Sequence, residues 1–206
     1  NVKSINKKLF AKQNDLNPQK EIIALLPGSR KQEVSRMMEV MLKVVKIFPD
    51  YQFVIGCAPS LPEEYYRELV GDEDVHMVFN KTYQLLQVAS AAVVTSGTAT
   101  LETALLYVPE VVCYKGNPIS YFIAKKLIKV KYISLVNLIM NKAVVKELIQ
   151  NDLTAENISV ELRQILSDTK RQRALLEDYE ELRFLLGNAG ASDNAALIII
   201  NDLKKQ

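Results

Sequence analysis

The sequence contains little of several residue types on which particular functions depend. Histidine occurs once, at His76, among apolar neighbours, so a zinc site is not expected. Cysteine occurs twice. Because Cys57 and Cys113 both lie in apolar runs, we expect buried, reduced thiols and a reducing compartment such as the cytoplasm. Positive charge is not in excess, since 26 basic and 24 acidic residues leave a net charge of +2, which does not favour a nucleic-acid partner.

Other missing patterns exclude further classes of protein. No apolar run approaches the ~18–20 residues of a transmembrane helix, and the N-terminus has no signal-peptide core. No G-x-G-x-x-G follows the first apolar run, which argues against a dinucleotide dehydrogenase, and no G-x-x-x-x-G-K-[ST] indicates a P-loop NTPase. The chain begins with Asn1 rather than methionine, so we interpret it as a segment of a longer protein.

Short apolar runs alternate with helical patterns along most of the 206 residues. Residues 1–20 show no sustained period and are predicted to be a linker or residual segment. Residues 21–187 are predicted to form one Rossmann-like α/β domain, a parallel sheet with helices on both faces, because parallel strands need crossover connections. Residues 188–206 are predicted to be a C-terminal helix. Its apolar residues from Ala195 to Ile200 exceed one helix face, which favours packing on a missing domain or a partner subunit.

The individual elements follow from hydrophobic period and turn residues. Strands are predicted at 21–26, 51–57, 75–79, 91–94, 110–114 and 131–133. In the second half of the chain, helices are predicted at about 118–130, 142–150, 154–167, 169–186 and 192–204.

The turn after the first strand carries the first candidate site, since ligands of such sheets bind at the carboxyl ends of the strands. Gly28 allows a close turn, and Ser29 with Gln32 three residues later forms a capping-box pattern. Free amides at that helix start, together with the guanidinium of Arg30, predict a site for an anion such as a diphosphate. The alternative is an ordinary capped helix with a solvated arginine.

The turn after the fourth strand carries the second candidate site. Ser96, Gly97 and Thr98 are small residues at a strand-to-helix turn, a pattern typical of phosphate-binding backbone amides. Glu102 follows Thr98 by four residues and therefore shares its helix face. A carboxylate there suits the two hydroxyl groups of a ribose, and the alternative is that Glu102 only complements the helix dipole.

A third group of polar residues follows the predicted sixth strand. Asn137 offers a donor and an acceptor to a sugar or to a base edge. Glu147 and Gln150 are three residues apart on one predicted helix face. Residue types alone favour ordinary surface positions for all three.

Several sequence blocks, in their order along the chain, are similar to lipid-A-disaccharide synthases. They are Leu-Leu-Pro-Gly-Ser-Arg at 25–30 with Glu-Val at 33–34, Ser-Gly-Thr-Ala-Thr-Leu-Glu at 96–102, Pro109 with Val-Val-Cys-Tyr-Lys at 111–115, Asn-Leu at 137–138 and Lys-Glu-Leu-Ile-Gln at 146–150. The match is in register from about residue 21 to the end. Two positions depart from the family pattern: Val136 stands where proline is usual and Asn141 where glycine is frequent, and both change local backbone preference.

The resemblance implies a two-domain GT-B fold, of which this chain is the C-terminal, donor-binding domain. It implies an inverting glycosyltransferase of lipid A biosynthesis that needs no cofactor or metal. The enzyme transfers 2,3-diacylglucosamine from UDP to the 6-hydroxyl of the lipid acceptor 2,3-diacylglucosamine 1-phosphate. The general base and the acyl-chain groove are then expected in an N-terminal domain that is absent here, so the chain alone is expected to be inactive.

The resemblance also implies roles for the candidate residues. Arg30 meets the diphosphate of the UDP-sugar, the turn 96–98 supports it, and Glu102 holds the ribose. Three further residues line the donor pocket: Asn137, Glu147 and Gln150. The alternatives are another UDP-GlcNAc-utilising GT-B enzyme, such as the peptidoglycan glucosaminyltransferase or the 2-epimerase, and a non-catalytic nucleotide-binding module.

Two polar stretches need separate interpretation. Asp72-Glu73-Asp74 matches the D-x-D metal site of other glycosyltransferases, but it precedes a predicted strand and is interpreted as a solvated acidic turn. A second stretch mixes aromatic and basic residues, which favours either an ordinary surface helix or peripheral contact with anionic lipid on the cytoplasmic face of the inner membrane. Its residues are Tyr121, Phe122, Lys125, Lys126, Leu127, Lys129 and Lys131.

Overall fold

The computed structural model of the protein describes residues 5–116, 131–187 and 190–203. The described strands are β1 (Glu21–Leu26), β2 (Tyr51–Cys57), β3 (His76–Phe79), β4 (Ala91–Thr95), β5 (Glu110–Tyr114) and β6 (Lys146–Ile149). The described α-helices are α1 (Lys7–Gln13), α2 (Lys31–Val45), α3 (Glu63–Val70), α4 (Thr82–Val88), α5 (Thr98–Leu105), α6 (Leu135–Met140), α7 (Ala155–Ser167), α8 (Thr169–Leu186) and α9 (Ala191–Leu203). One 3-10 turn, Gln150–Asp152, follows β6.

The six strands form one sheet in the order β3-β2-β1-β4-β5-β6, and every neighbouring pair is parallel. Parallel sheets are covered on both faces, so their strands consist of continuous apolar runs. In β1, Ile22 to Leu25 are all fully buried. All six strands therefore end at the same edge of the sheet, which confirms the predicted fold class.

Each face of the sheet is covered by its own core cluster. On one face, α2 buries apolar side chains that recur at helical spacing: Val34, Met37, Met38, Met41 and Val44. The second cluster covers the opposite face of the sheet. It includes the side chains of β1 and β4 that alternate along each strand with the side chains of the first cluster. The sheet is thus held from both sides, and its edge can position loops.

The N-terminal segment contributes to that second cluster. Residues 1–20 are predicted to be a linker or residual segment, and the described part of this segment, residues 5–20, contains the capped helix α1. The side chain of Asn6 accepts hydrogen bonds from the amides of Lys8 and Leu9. Phe10 and Leu16 are buried in the second core cluster, so this segment packs on the domain.

The sixth strand was predicted at the wrong place. Residues 131–133 are not a strand, and the predicted helix over 142–150 is also wrong. The segment Lys146–Ile149 instead pairs in parallel with β5, with Leu148 opposite Cys113. Lysine, glutamate and leucine favour helices intrinsically, and this tertiary pairing overrides that preference. Glu147 and Gln150 consequently do not share a helix face.

A buried acid lies at the start of β5. Glu110 is 2% exposed, and neither of its carboxyl oxygens has a hydrogen-bond partner among the described residues. Burial raises the pKa of this carboxyl group well above its ordinary value of 4.5. Tyr179 of α8, which is also buried, lies near Glu110. Burial therefore disfavours the charged form of Glu110.

The C-terminal helix exposes much of its apolar surface. Leu197, Ile198 and Ile199 are 57%, 70% and 59% exposed. Within residues 5–116, 131–187 and 190–203, no helix is both long enough and apolar enough to cross a bilayer. The basic-aromatic stretch lies outside the described residues except for Lys131, so its contact with membrane stays a prediction.

Candidate functional site

A cavity of about 450 Å³ opens at the carboxyl ends of four neighbouring strands, β3, β2, β1 and β4. Most of its lining comes from the loops that follow these strands and from the helix starts after them. The lining residues are Leu26, Gly28, Ser29, Glu33, Gly56, Ala58, Pro59, Asn80, Thr82, Tyr83, Gln84, Thr95, Ser96, Gly97, Thr98, Ala99 and Glu102. The two turns predicted as anion sites therefore face one cavity.

The first turn differs in detail from the predicted capping box. The N-cap of α2 is Arg30, not Ser29, and no side chain caps it among the described residues. Gly28 has a φ of +109°, a conformation that favours glycine. The Ser29 amide donates instead to the carboxylate of Glu33, with 3.1 Å between Ser29 N and Oε2. Gln32 has no part in this contact, so the predicted capping box is wrong.

The loop after β2 and the helix α3 that follows it form hydrogen bonds with this turn. The hydroxyl of Ser60 donates to the carbonyl oxygen of Ser29 at 2.7 Å. The hydroxyl of Tyr65 donates to the carbonyl oxygen of Lys31 at 2.8 Å, and the Lys31 ammonium lies 5.0 Å from the centre of the Tyr65 ring. These contacts fix the start of α2 relative to the cavity.

The second turn leads from β4 into α5. Helix α5 begins at Thr98, and within the described chain no side chain caps its first turn. The backbone of Gly97 is extended, and a Cβ there would have no closer neighbour than the Thr95 carbonyl oxygen at 4.0 Å. Glycine at this point therefore leaves the approach to the helix N-terminus open. The Ser96 amide donates to the Cys113 carbonyl oxygen, whereas Gly97 and Thr98 are exposed. The start of α5 is therefore accessible to an anion.

Glu102 lies one turn into α5 on the face that lines the cavity, as its spacing from Thr98 predicted. It is outside the first helical turn, which weakens the interpretation that it only complements the helix dipole. Tyr83, at the start of α4, lines the same cavity and is 56% exposed. Partial burial and then the neighbouring Glu102 carboxylate raise the pKa of the Tyr83 hydroxyl. Phenol and carboxylate thus form a polar pair that ligand hydroxyls can join.

Thr95 forms part of the same wall. Its hydroxyl is buried and has no hydrogen-bond partner among the described residues. A buried hydroxyl without a partner is costly, and such groups are usually satisfied by protein, water or ligand. This position therefore favours a polar ligand in the cavity.

Asn137 and Glu147 form a buried hydrogen-bond network outside the cavity lining. The Asn137 amide oxygen accepts from the backbone N–H groups of Val144 and Val145, at 2.8 and 2.9 Å. Its amide nitrogen donates to the Val145 carbonyl and to Glu147, both at 2.9 Å. Glu147 also accepts from the amides of Ile133 and Ser134 and from the Ser134 hydroxyl. All polar atoms of Asn137 are therefore engaged within the protein.

This network connects to the second turn. The hydroxyl of Ser96 donates to the carbonyl oxygen of Ile133 at 3.1 Å, and the amide of Ile133 donates to Glu147. Asn141, where the family often has glycine, ends α6 in the left-handed conformation at φ 46°, which asparagine tolerates. The described contacts give Asn137 and Glu147 a positioning role, and their direct contact with a donor stays a prediction.

Gln150 lies just after β6, at the same edge of the sheet as the cavity. Its φ of +53° is unusual for a residue other than glycine. Its side-chain nitrogen is buried without a partner in the described part of the chain. Gln150 is not part of the cavity lining, and its contact with a donor also stays a prediction.

The structure thus brings together six of the ten predicted residues: Gly28, Ser29, Ser96, Gly97, Thr98 and Glu102. Arg30 adjoins the cavity as an exposed residue of the first turn but is not part of its lining. Sequence reasoning missed Glu33, Tyr83 and the loops after β2 and β3. Only the rule that all strand ends face the ligand could have indicated those two loops.

The acidic turn 72–74 lies at the opposite edge of the sheet, before β3. Glu73 pairs there with Lys46, with 2.7 Å between the charged atoms. The described residues contain no cluster of three or more histidine, cysteine, aspartate or glutamate side chains that could hold a metal ion. The interpretation of this turn as a solvated acidic segment agrees with its position.

Comparison with known proteins places the chain in a family. Residues 1–199 match the family model described as lipid-A-disaccharide synthetase. The chain is 42% identical to the lipid-A-disaccharide synthase of Syntrophus aciditrophicus (strain SB) over 190 residues, 89% of this chain and 50% of that protein. It is 35% identical to that of Coxiella burnetii (strain CbuG_Q212) over 202 residues, 96% of this chain and 54% of that protein. The chain therefore spans about half the length of these curated relatives.

Solved structures share the fold at low sequence identity. The calicheamicin glycosyltransferase CalG4 is 15% identical with a TM-score of 0.58, over 88% of this chain and 42% of that chain. The UDP-GlcNAc 2-epimerase from Neisseria meningitidis bound to UDP-GlcNAc is 17% identical with a TM-score of 0.55, over 97% and 49%. These similarities support the GT-B type of fold. From the family model and the curated relatives it follows that the chain belongs to the lipid-A-disaccharide synthase family.

Proposed function

We propose that this chain is the UDP-sugar-binding half of a lipid-A-disaccharide synthase. The enzyme would transfer 2,3-diacylglucosamine from UDP to the 6-hydroxyl of 2,3-diacylglucosamine 1-phosphate, with inversion at the anomeric carbon. The observation that carries the proposal is the meeting of two family motif turns, 28–29 and 96–99, and of Glu102 at one cavity of ligand size.

The diphosphate would lie between the two helix N-termini. Both α2 and α5 direct backbone amides toward the strand ends, and their dipoles favour negative charge. The guanidinium of Arg30, which the structure leaves exposed beside the first turn, would add a charged donor. These groups would stabilise the negative charge that develops on UDP as the glycosidic bond breaks. In other enzymes a divalent cation supplies this stabilisation. Because the two helix N-termini and Arg30 would supply it here, we expect UDP to bind without a divalent cation.

The ribose would lie against Glu102 and Tyr83. A carboxylate accepts hydrogen bonds from two neighbouring hydroxyl groups, and the Tyr83 hydroxyl next to it can donate or accept. The network of Asn137 and Glu147 would act indirectly by holding Ile133 and, through it, Ser96. In this proposal Glu102 and Tyr83 bind the ribose, whereas Asn137 and Glu147 position the turn at Ser96.

The remaining half of the enzyme would supply acceptor binding and the general base. In a GT-B enzyme the reaction takes place in the cleft between two domains, and positioning of two reactants can account for ~7–11 kcal/mol of a barrier. The exposed apolar side chains of α9 would pack on that other domain or on a second subunit. The chain alone should therefore bind the donor without catalysing transfer.

A product assay tests this proposal. The chain joined to an N-terminal half like that of its relatives should form the tetraacyl disaccharide 1-phosphate and UDP from the two lipid substrates. The 206-residue chain alone should form neither. A product from UDP-GlcNAc with a different acceptor would favour another GT-B enzyme, and UDP binding without turnover by the longer protein would favour a non-catalytic module.

A further inference from the structure

The Ser29 amide, which is placed to recognise the diphosphate, already has a hydrogen-bond partner in the cavity. The inference from this contact rests on the proposed binding of a UDP-sugar. Glu33 lies in the first turn of α2, and its carboxylate accepts a hydrogen bond from the Ser29 amide. Gly28 makes room for it, because a Cβ at Gly28 would overlap the Glu33 carboxyl group. A carboxylate therefore occupies the turn whose amide would otherwise donate to a phosphate oxygen.

The charged side chains that line the cavity would repel a diphosphate while Glu33 is in this position. The described lining includes the carboxylates of Glu33 and Glu102 and no lysine or arginine side chain. A diphosphate that entered with Glu33 in this position would meet two like charges in a partly enclosed space, where repulsion exceeds that in bulk water. The buried hydroxyl of Thr95, without a partner among the described residues, shows that the same cavity still has an unmet polar group.

We propose that Glu33 competes with the diphosphate of the nucleotide for the Ser29 amide and is displaced when the donor binds. The exchange replaces one anionic acceptor by another at the same N–H group, so the net gain in affinity is the difference between the two contacts. Glu33 thereby lowers the affinity for UDP. The return of Glu33 to Ser29 favours release of UDP after transfer.

Binding measurements with two ligands test this competition. UDP and uridine are titrated into the wild-type chain and into Glu33→Gln, which removes the charge. The substitution should raise the affinity for UDP about three- to ten-fold, which corresponds to the net free energy of roughly one hydrogen bond. The affinity for uridine, which has no phosphate, should not change. Glu33→Ala should likewise raise the affinity for UDP and leave the affinity for uridine unchanged.

Glu39→Gln is the matched control. Glu39 lies on the exposed side of the same helix and pairs with Lys43 at 3.1 Å, so this variant removes an equal charge away from the cavity. It should leave both affinities unchanged. Equal or weaker UDP binding by Glu33→Gln, or an equal gain in Glu39→Gln, would overturn the competition and leave the proposed function intact. Failure of the wild-type chain to bind UDP would instead overturn the proposed function, and the competition with it.

Discussion

Replacement of Asn137 by alanine removes four hydrogen bonds from a side chain that is 1% exposed. The amide groups of Val144 and Val145 lose their acceptor, and the Val145 carbonyl and Glu147 lose a donor. A buried polar group left without a partner costs about 1–3 kcal/mol. Val145 is fully buried, whereas Val144 is partly accessible to water that can replace the lost partner. We therefore expect Asn137→Ala to lower the free energy of unfolding by about 3–5 kcal/mol.

Thermal and urea unfolding measure this loss. For a domain of this size, 1 kcal/mol corresponds to ~2–4 °C in Tm, so the expected decrease is about 6–20 °C. Asn157→Ala is the control, because the Asn157 side chain makes one exposed hydrogen bond, to the Asp152 carbonyl. Its effect on the free energy of unfolding should remain below ~1 kcal/mol. A similar small effect for Asn137→Ala would refute the positioning role of the network.

Three further predictions concern the cavity and the buried acid. Arg30→Ala should weaken UDP about ten- to a hundred-fold in titration calorimetry, since a charged hydrogen bond contributes roughly 1.5–3 kcal/mol, and unchanged affinity would remove Arg30 from the site. Glu102→Ala should weaken UDP more than Glu102→Gln, which keeps one acceptor, and normal binding by both variants would leave Glu102 without a ribose contact. Because burial raises the pKa of Glu110, the folded protein retains a proton that the unfolded chain releases above about pH 4.5, so Glu110 lowers stability progressively as pH rises. Glu110→Gln should therefore raise Tm relative to the wild type more at pH 8 than at pH 4.5, and an equal difference at both pH values would contradict a raised pKa for Glu110.

The sheet was predictable where local sequence and tertiary structure agree. Strands β1 to β5 are apolar runs closed by turn residues, and burial on both faces requires that pattern. Strand β6 was not predictable in this way, because Lys-Glu-Leu-Ile favours a helix locally and becomes a strand only through pairing with β5. Helix α1 has few apolar residues, so its period is weak although Phe10 is buried.

The candidate site was predictable for the residues whose position follows from topology. The turns at Ser29 and Ser96 follow strands, and the carboxyl ends of parallel strands meet at one edge. The partners of Asn137 are backbone groups of Val144 and Val145, which only the folded chain brings near. The sequence also could not show that the Glu33 carboxylate folds back onto the amide of Ser29.

The central claim is that this chain binds UDP at the strand-end cavity through its own donors. Titration calorimetry of UDP into the 206-residue chain, in buffer with EDTA and then with Mg²⁺, tests it most directly. We expect one UDP to bind per chain in EDTA, with affinity unchanged by Mg²⁺. Absence of binding in EDTA, or binding that requires Mg²⁺, would contradict it.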